Sequence, residues 1–457
     1  MVGDATLGDG IHEGAASAAG PVSGSVGTMT PSTLATAGLS RALAKYACRL
    51  HEHAGGGHSV TSALGVWLLL ALASDTVADG ERSALVNLLG MPLDDAKNLA
   101  ATLLDSPHAQ VCSATAVWTP DSHETAALRR WLETLPSSLS RGPVPSQTAA
   151  DVWAADNTDG LIDHFPLPMS EDTLLVLASA LATKVDWHQP FEVASVKSTP
   201  GGAASWPSDV TTVLRSPEDV RRYICRSEFS GAGDMAVHEA RAEGLVVVSV
   251  AAGPEVNQAQ VIAAAHRVAF TAAVPRTPSS IPLERSLFDL EVGRHPCWHL
   301  EERPGQVTST TGREERVEAY LPAWEAETDL DLTAEPQLGV GSVLTGLSRL
   351  LVADPGAAEA SARQAAKASF SKTGFTAAAV TAFGLIATGP PPQTRSGVVR
   401  TATLLFGGPH AVVAVAIDSP RLDGRAEPDG QWHGIPVFSA WVTEAVEAQI
   451  APLTHSD

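Results

Sequence analysis

A chain of 457 residues has room for two or three average domains or for one large fold, and 44% hydrophobic against 18% charged residues describes a globular protein with an ample core. Its formal net charge of −21 repels phosphate at long range, which argues against nucleic-acid binding and against anionic membrane surfaces. Cys48, Cys112, Cys225 and Cys297 are scattered, with no Cys-x-x-Cys pair, so neither a zinc site nor a disulfide framework is expected, and free thiols fit a reducing compartment better than an oxidising one.

Residues 1–35 are rich in Gly, Ala, Ser and Thr, show no hydrophobic period and read as a disordered tail. They contain no basic stretch followed by an apolar one, so no ordinary secretory signal is visible and a cytoplasmic protein is expected. Apolar residues recur at helical spacing over Leu39–Leu50, Thr61–Ala73 and Arg82–Leu89, and Gly90-Met91-Pro92 stops the third helix. Trp67–Ala73 is strongly apolar but far too short to span a bilayer, which makes it part of a buried helix. Asp151–Ile162 reads as a short helix stopped by Thr158-Asp159-Gly160, while periodicity does not decide between strand and helix over the apolar run Leu174–Ala182.

The second half changes character. Leu245–Val250, Val317–Leu321, Leu404–Phe406, Ala411–Ile417 and Ile435–Val442 are short β-branched or apolar runs separated by turn residues. Helices first and strands later indicate an α+β protein rather than alternating βαβ units. Ser195–Asp209 and Asp418–Trp432, dense in Gly, Pro, Ser and charge, read as surface insertions.

Few residues are arranged for chemistry. His51, His53 and His58 surround Gly55-Gly56-Gly57 without the carboxylate spacing of a zinc motif, so a solvated loop is expected there. Cys297 and His299 are two residues apart, but nothing else supports a thiol–imidazole pair. A Walker loop, a Gly-x-Ser-x-Gly elbow and a His-Glu-x-x-His helix are all missing from the sequence. No enzymatic activity, metal or cofactor is expected. The acidic run Glu325–Asp331 reads as a solvated strand end.

The most informative stretch is Lys372-Thr373-Gly374-Phe375-Thr376-Ala377-Ala378-Ala379-Val380-Thr381-Ala382. Three consecutive alanines follow a glycine whose backbone tolerates dihedrals other residues avoid, and residues 384–400 read as an exposed loop. This joint, small-residue strand precursor and displayed loop resemble the hinge and reactive loop of the serpin family. The resemblance runs over roughly residues 40–447. It is carried by Ser59–Leu70, Asp79–Ser83 with Leu88–Gly90, Asp151–Ile162, Leu177–Trp187 with Pro190-Phe191, Glu318–Glu325, Leu404–Pro409 and Gly434–Val442, in the family's order.

The resemblance implies a serpin fold of class α+β, with a large mixed main sheet, two smaller sheets, eight or nine helices and an exposed reactive loop at about 374–403. The domain would span 36–457 as a monomer. It also implies that Leu177–Trp187 is a strand of the main sheet, with Trp187 and Ser179 (an Asn in the family) in the region where that sheet opens. The implied activity is inhibition of a serine-type, or a cysteine-type, endopeptidase: the protease cuts the loop, the loop enters the main sheet as a new strand, and the attached protease is distorted. Gly374 to Thr381 would form the hinge, with Phe375, Ala377, Ala379 and Thr381 facing the core and Thr376, Ala378 and Val380 facing outward. Counting from Gly374 as the family does puts the bait bond at Thr388-Gly389. Arg395-Ser396 is the alternative, a better match to a trypsin-like protease but roughly 20 Å further along the tether.

Departures from the family pattern support a second reading. Ser371 replaces an acidic residue before the hinge, Phe375 stands where inhibitory members carry Thr or Ser, and Gly407-Gly408-Pro409-His410 lacks the Asp and aromatic of the signature. A large residue first into the sheet costs about 1–3 kcal/mol where no space is provided. The alternative is therefore a non-inhibitory, serpin-like binding protein whose loop is a substrate or does not insert. The family is often extracellular, which stands against the cytoplasmic expectation.

Overall fold

The computed structural model describes residues 31–119, 125–170, 173–227, 231–274, 283–333, 335–351, 361–375, 394–418 and 430–448. In chain order the first elements are helix α1 (Pro31–His53), strand β1 (Ser59–Thr61) and helices α2 (Ala63–Leu72), α3 (Asp79–Leu89) and α4 (Leu93–Asp105). They are followed by β2 (Val111–Trp118), α5 (Ala126–Glu133), β3 (Ser140–Gly142), α6 (Gln147–Asn157), β4 (Val176–Thr183) and β5 (Val185–Asp186). Next come β6 (Glu192–Ser195), β7 (Thr212–Arg215), β8 (Arg221–Ser227), β9 (Gly233–Ala242), β10 (Leu245–Ala251) and α7 (Gln258–Ala273). The chain continues through β11 (Leu283–Glu284), β12 (Gly293–Arg294), β13 (Trp298–Val307), β14 (Arg313–Leu321), β15 (Trp324–Asp331) and α8 (Val340–Leu351). It closes with β16 (Arg363–Phe370), β17 (Gly374–Phe375), β18 (Arg395–Leu405), β19 (His410–Ala416) and β20 (Pro436–Val442).

Local signals explain most helix limits. α1 begins at Pro31, inside the segment expected to be a tail, at the position where proline's missing N–H costs nothing. It buries Leu39, Leu43, Ala47 and Leu50, one face of the helix. Thr61 belongs to β1, not to the helix expected from that residue onward, because Ser62 caps α2 by accepting a hydrogen bond from the Gly65 N–H. Apart from Leu69, every residue of α2 is buried, as its all-round apolar sequence demands. α3 ends on Gly90 at φ 75°, a left-handed cap that suits glycine. The end of α6 is reversed by Asp159 and Gly160, both at positive φ.

Among the described residues eight α-helices surround four hydrogen-bonded sheets, an α+β architecture. A seven-stranded sheet runs β1-β20-β19-β10-β9-β8-β11, and a six-stranded sheet runs β12-β13-β18-β14-β7-β6. The other two are β15-β16-β17-β5 and β3-β2-β4. This grouping differs from one large sheet with two small ones, because β4 and β5, separated only by Lys184, pair with different neighbours. Leu174–Ala182, undecided by periodicity, is thus largely strand. β10 is buried on both faces: Leu245 and Val247 join the largest apolar cluster, and Val246, Val248 and Val250 join a second one with residues of α7.

In the six-stranded sheet β18 lies between β13, antiparallel to it, and β14, parallel to it. β12 covers only His299 and Leu300 of β13, and no other described strand pairs with the outer edge beyond them. Ser195–Asp209, expected as a surface insertion, carries two short helical turns and buries Val196 and Trp206 against Val213 and Tyr320. Most of Asp418–Trp432 lies outside the described residues.

Candidate functional site: a cleft between two strand edges

After Phe370 the chain makes a tight turn and re-enters the four-stranded sheet. The Ser371 N–H and hydroxyl both donate to the Gly374 carbonyl at 3.0 Å. The Trp187 indole N–H donates to the Ser371 carbonyl at 3.0 Å, the Trp187 backbone N–H to Thr373 at 2.9 Å, and the Phe191 N–H to Lys372 at 2.9 Å. Trp187, expected at the opening end of the sheet, therefore holds the turn directly. Ser371 takes a backbone-binding role where the resemblance led to an acid.

Gly374 and Phe375 form β17. Phe375 is paired with Phe370 on one side and Val185 on the other. A β-carbon at Gly374 would fall 2.3 Å from the Val185 carbonyl oxygen, so the close approach of β5, not an unusual dihedral, reserves this position for glycine. Phe375 is 3% exposed and lies edge-on to Trp324 at 6.3 Å. Phe370 stacks on Trp324 and contacts Trp187 and Phe191. The overpacking expected at Phe375 does not arise, because these aromatic rings form a site that accepts it.

Beyond this closed mouth the two sheets part. β16 is paired with β15 on one side, and from Arg363 to Ser369 no described strand covers the other. β4 is paired with β2, and from Val176 to Ala182 its opposite edge is likewise uncovered. Between the two edges lies a narrow cleft with a cavity volume of about 150 Å³, below the roughly 300–1000 Å³ usual for a small-ligand pocket. Val66, Leu69 and Leu70 of α2 line one face, Trp153, Ile162 and Phe165 the other, and Val343 and Leu347 of α8 lie at one end.

The polar groups of the cleft are few. The Gln364 side chain accepts from the Ser62 N–H at 3.2 Å and donates to the Ser62 carbonyl at 2.8 Å, tying β16 to the cap of α2. The Ser179 hydroxyl on β4 is buried and has no hydrogen-bond partner among the described residues, although most buried polar groups have one. Gln364 carried no sequence signal of its own; Ser179 was marked only by the family resemblance.

The remaining expected sites resolve as follows. His51 is fully buried, with ring nitrogens 3.1 Å from the Ser59 hydroxyl and 3.0 Å from the Ser439 hydroxyl, and burial lowers its pKa to about 4. It is a core tie rather than part of a solvated loop, while His53 and His58 bond the carbonyls of Asp331 and Glu325. Among the described residues no group of three His, Cys, Asp or Glu side chains is placed to hold a metal. The Cys297 thiol donates to the Ala252 carbonyl and burial pushes its pKa up to about 12, whereas His299 faces Glu301 at 3.4 Å. All four cysteines are free. His238 and the buried Glu239, which accepts from Arg221 and Tyr223, carried no sequence signal beyond a faint alternation in β9.

Arg395 and Ser396 are the first residues of β18, in register with Val307 and Gln306. Thr388, Gly389 and the hinge residues Thr376, Ala377, Ala378, Ala379, Val380 and Thr381 lie outside the described residues. No described helix is long and apolar enough to cross a membrane.

Comparison with known proteins gives a consistent picture. No protein-family model matches the chain. A curated relative, putative serpin-Z12 of Oryza sativa subsp. japonica, is 28% identical over 194 residues, which is 37% of this chain and 45% of the relative, so the match spans less than half the relative's length. Human thyroxine-binding globulin, solved with its hormone, aligns over 90% of this chain and 99% of its own with a TM-score of 0.57 at 12% identity. The thermophilic serpin Tengpin in its native state aligns over 89% of this chain and 94% of its own, with a TM-score of 0.55 at 14% identity, and its latent state aligns as well. The likeness is to non-catalytic proteins rather than to enzymes. The likeness also stands against the cytoplasmic expectation, since the structural neighbours include human thyroxine-binding globulin and glycosylated human kallistatin.

Proposed function

We propose, from the premise that this chain is a divergent member of the serpin fold family, that it works by conformational change and traps a serine-type endopeptidase when its loop is cut. The observation that carries this reading is the pair of uncovered edges on β4 and β16, with Gly374-Phe375 already strand-paired at the mouth between them. In this reading β3-β2-β4 and β15-β16-β17-β5 are two halves of one main sheet, parted where a new strand belongs. The unit is one domain over 36–457, a monomer.

Carrying the register forward from Phe375, opposite Phe370 and Val185, puts Ala377 between Ala368 and Thr183. Ala379 comes between Ala366 and Leu181, and Thr381 between Gln364 and Ser179. Small residues then fill the side facing α2, and the Thr381 hydroxyl meets the orphan hydroxyl of Ser179. Phe375 stays where it is, so insertion need not move it. The bait bond is Thr388-Gly389, and inserting the chain up to Thr388 carries an attached protease on the order of 50 Å. Arg395-Ser396 is the weaker candidate, since its backbone is already committed to a ladder.

A second reading is a serpin-like binding protein whose loop is cut without trapping anything. The comparisons lean toward this broader reading, since they support the fold and a general conformational mechanism but no protease or insertion event, and thyroxine-binding globulin binds thyroxine in the same fold. Incubation with a panel of serine proteases separates the two. A complex that survives SDS, with the protease joined at Thr388, is the expected result. Complete loop cleavage with the protease left active would sink the trapping reading and keep the binding one.

A further inference from the structure

We infer that His58 is an acid-operated latch: its neutral ring fastens residues 443–448 across the crossing from β14 to β15, and protonation lets 443–445 lift while Glu447 keeps the segment attached. The latch goes beyond the reading above and does not depend on loop insertion.

His58 is half-buried just before β1. Three contacts fix its protonation state. The Thr443 N–H donates to Nδ1 at 3.1 Å, and the Glu444 N–H donates to the same atom at 3.2 Å. Two amide donors aimed at one ring nitrogen require a lone pair there. Nε2 lies 2.8 Å from the Glu325 carbonyl, which can only accept, so this nitrogen carries the proton. The ring therefore joins the 443–448 segment to β15 only as the neutral Nε2–H tautomer. A proton added at Nδ1 would turn two hydrogen bonds into donor–donor contacts, and histidine is the side chain that changes charge between pH 5 and 8.

The rest of the segment is held by groups that mild acid leaves alone. The Val446 N–H donates to the Ala323 carbonyl at 2.8 Å. The Glu447 carboxylate accepts from the Thr211 N–H at 2.8 Å, the Thr211 hydroxyl at 2.7 Å, the Thr212 N–H at 3.0 Å and the Thr212 hydroxyl. The Thr212 and Thr211 hydroxyls, helped by the two amides, hold its pKa down to about 2. One anchor thus fails in mild acid and the other persists.

The other titratable groups on the elements that hold the ring are few. Glu325 of β15 and Glu444 of the segment are exposed carboxylates. His410 of β19, paired with Val442 just before the segment, is buried, and burial lowers its pKa to about 4, so it stays neutral between pH 8 and 5. The His58 ring also lies edge-on to Trp324 at 6.3 Å, on whose indole Phe375 packs. The latch accordingly sits beside the aromatic cluster at the mouth of the cleft.

Amide exchange of the full-length protein tests this, read by mass spectrometry on fragments containing 443–448, Thr211 with Thr212, and β10, and corrected for the intrinsic effect of pH. Between pH 8 and pH 5 exchange at 443–445 is expected to rise at least tenfold, while Thr211, Thr212 and β10 keep their protection. His58→Asn, or His58→Phe should the first fail to fold, is expected to abolish the step, leaving 443–445 equally protected or equally exposed at both pH values. A wild type with the same exchange at pH 8 and pH 5 overturns the latch. A step that persists in the folded variant overturns it as well, since another group then causes it. Loss of protection at Thr211 and Thr212 or in β10 along with 443–445 does the same, because acid then loosens more than the His58 anchor.

Discussion

The two ends of the loop are fastened in opposite ways. At Phe375 the chain is held by a two-residue strand with an uncovered edge waiting below it on either side. At Arg395 it runs into an eleven-residue strand that is paired on both edges and strapped by Arg400. Sheets hold a segment in proportion to the ladders that must break together, so the first end is built to extend and the second to stay. If the loop inserts as proposed, the difference would put the movement at the Phe375 end.

The largest expected effect tests whether the first end extends. Nicking within 376–393 is expected to raise the melting temperature by tens of degrees, since adding a strand of even about 5 kcal/mol is large beside ordinary stability; calorimetry of nicked and uncut protein reads it. Phe375→Ala comes next. Loss of this buried ring is expected to cost about 3–5 kcal/mol, and to cost it equally before and after nicking, because Phe375 occupies the same site in both forms. Denaturant titration of the two forms would show a change in the gap between them if Phe375 instead governs insertion. Gly374→Ala drives a methyl group into the Val185 carbonyl, and a loss of about 1–3 kcal/mol is expected, with exchange of the Phe375 amide as the local readout.

Acid should blur the comparison rather than shift it. Burial lowers the pKa of His51 and of His410 to about 4, and of His238 and His266 to about 3, all below the unfolded value near 6.5. The unfolded chain therefore takes up protons first as pH falls. Stability from these groups is complete above about 6.5 and declines as pH drops toward 4 and 3. Nicked and uncut protein are expected to lose stability in parallel over that range. The smallest effect belongs to Ser179→Ala, expected to be near neutral in the uncut protein, where its hydroxyl has no partner, and to trim about 1 kcal/mol from the gain on nicking.

How far these features were legible depended on where their partners lie along the chain. α2 and β10 could be read directly, because burial on all sides writes an unbroken apolar run. β8 and β13 could not. Arg221, Arg222, Glu301, Glu302 and Arg303 look like solvent residues, and what makes these segments strands is pairing with β9 and, for β13, with a strand almost a hundred residues later. Gly374 was recognisable as special, but for its dihedral; the real cause, the Val185 carbonyl, lies on another strand. Phe375 looked like an obstacle because Trp324, whose ring receives it, and Val185, which pairs with it, come from separate stretches of sequence. His51 was misjudged for a similar reason: its partner Ser439 is remote.

The outer edge of β13 has a bearing on how the protein behaves in bulk. A strand edge left open to solvent is a template on which a second molecule can stack, and a fold that keeps two such edges inside a cleft has reason to guard the one outside. Past Leu300 that edge offers Glu301, Glu302 and Arg303, then Pro304, which has no N–H to give. A second strand docking there would have to accommodate three charged side chains, and its ladder would break at the proline. Three charged side chains and a proline on the rim of one sheet thus disfavour the stacking of a second molecule on that edge.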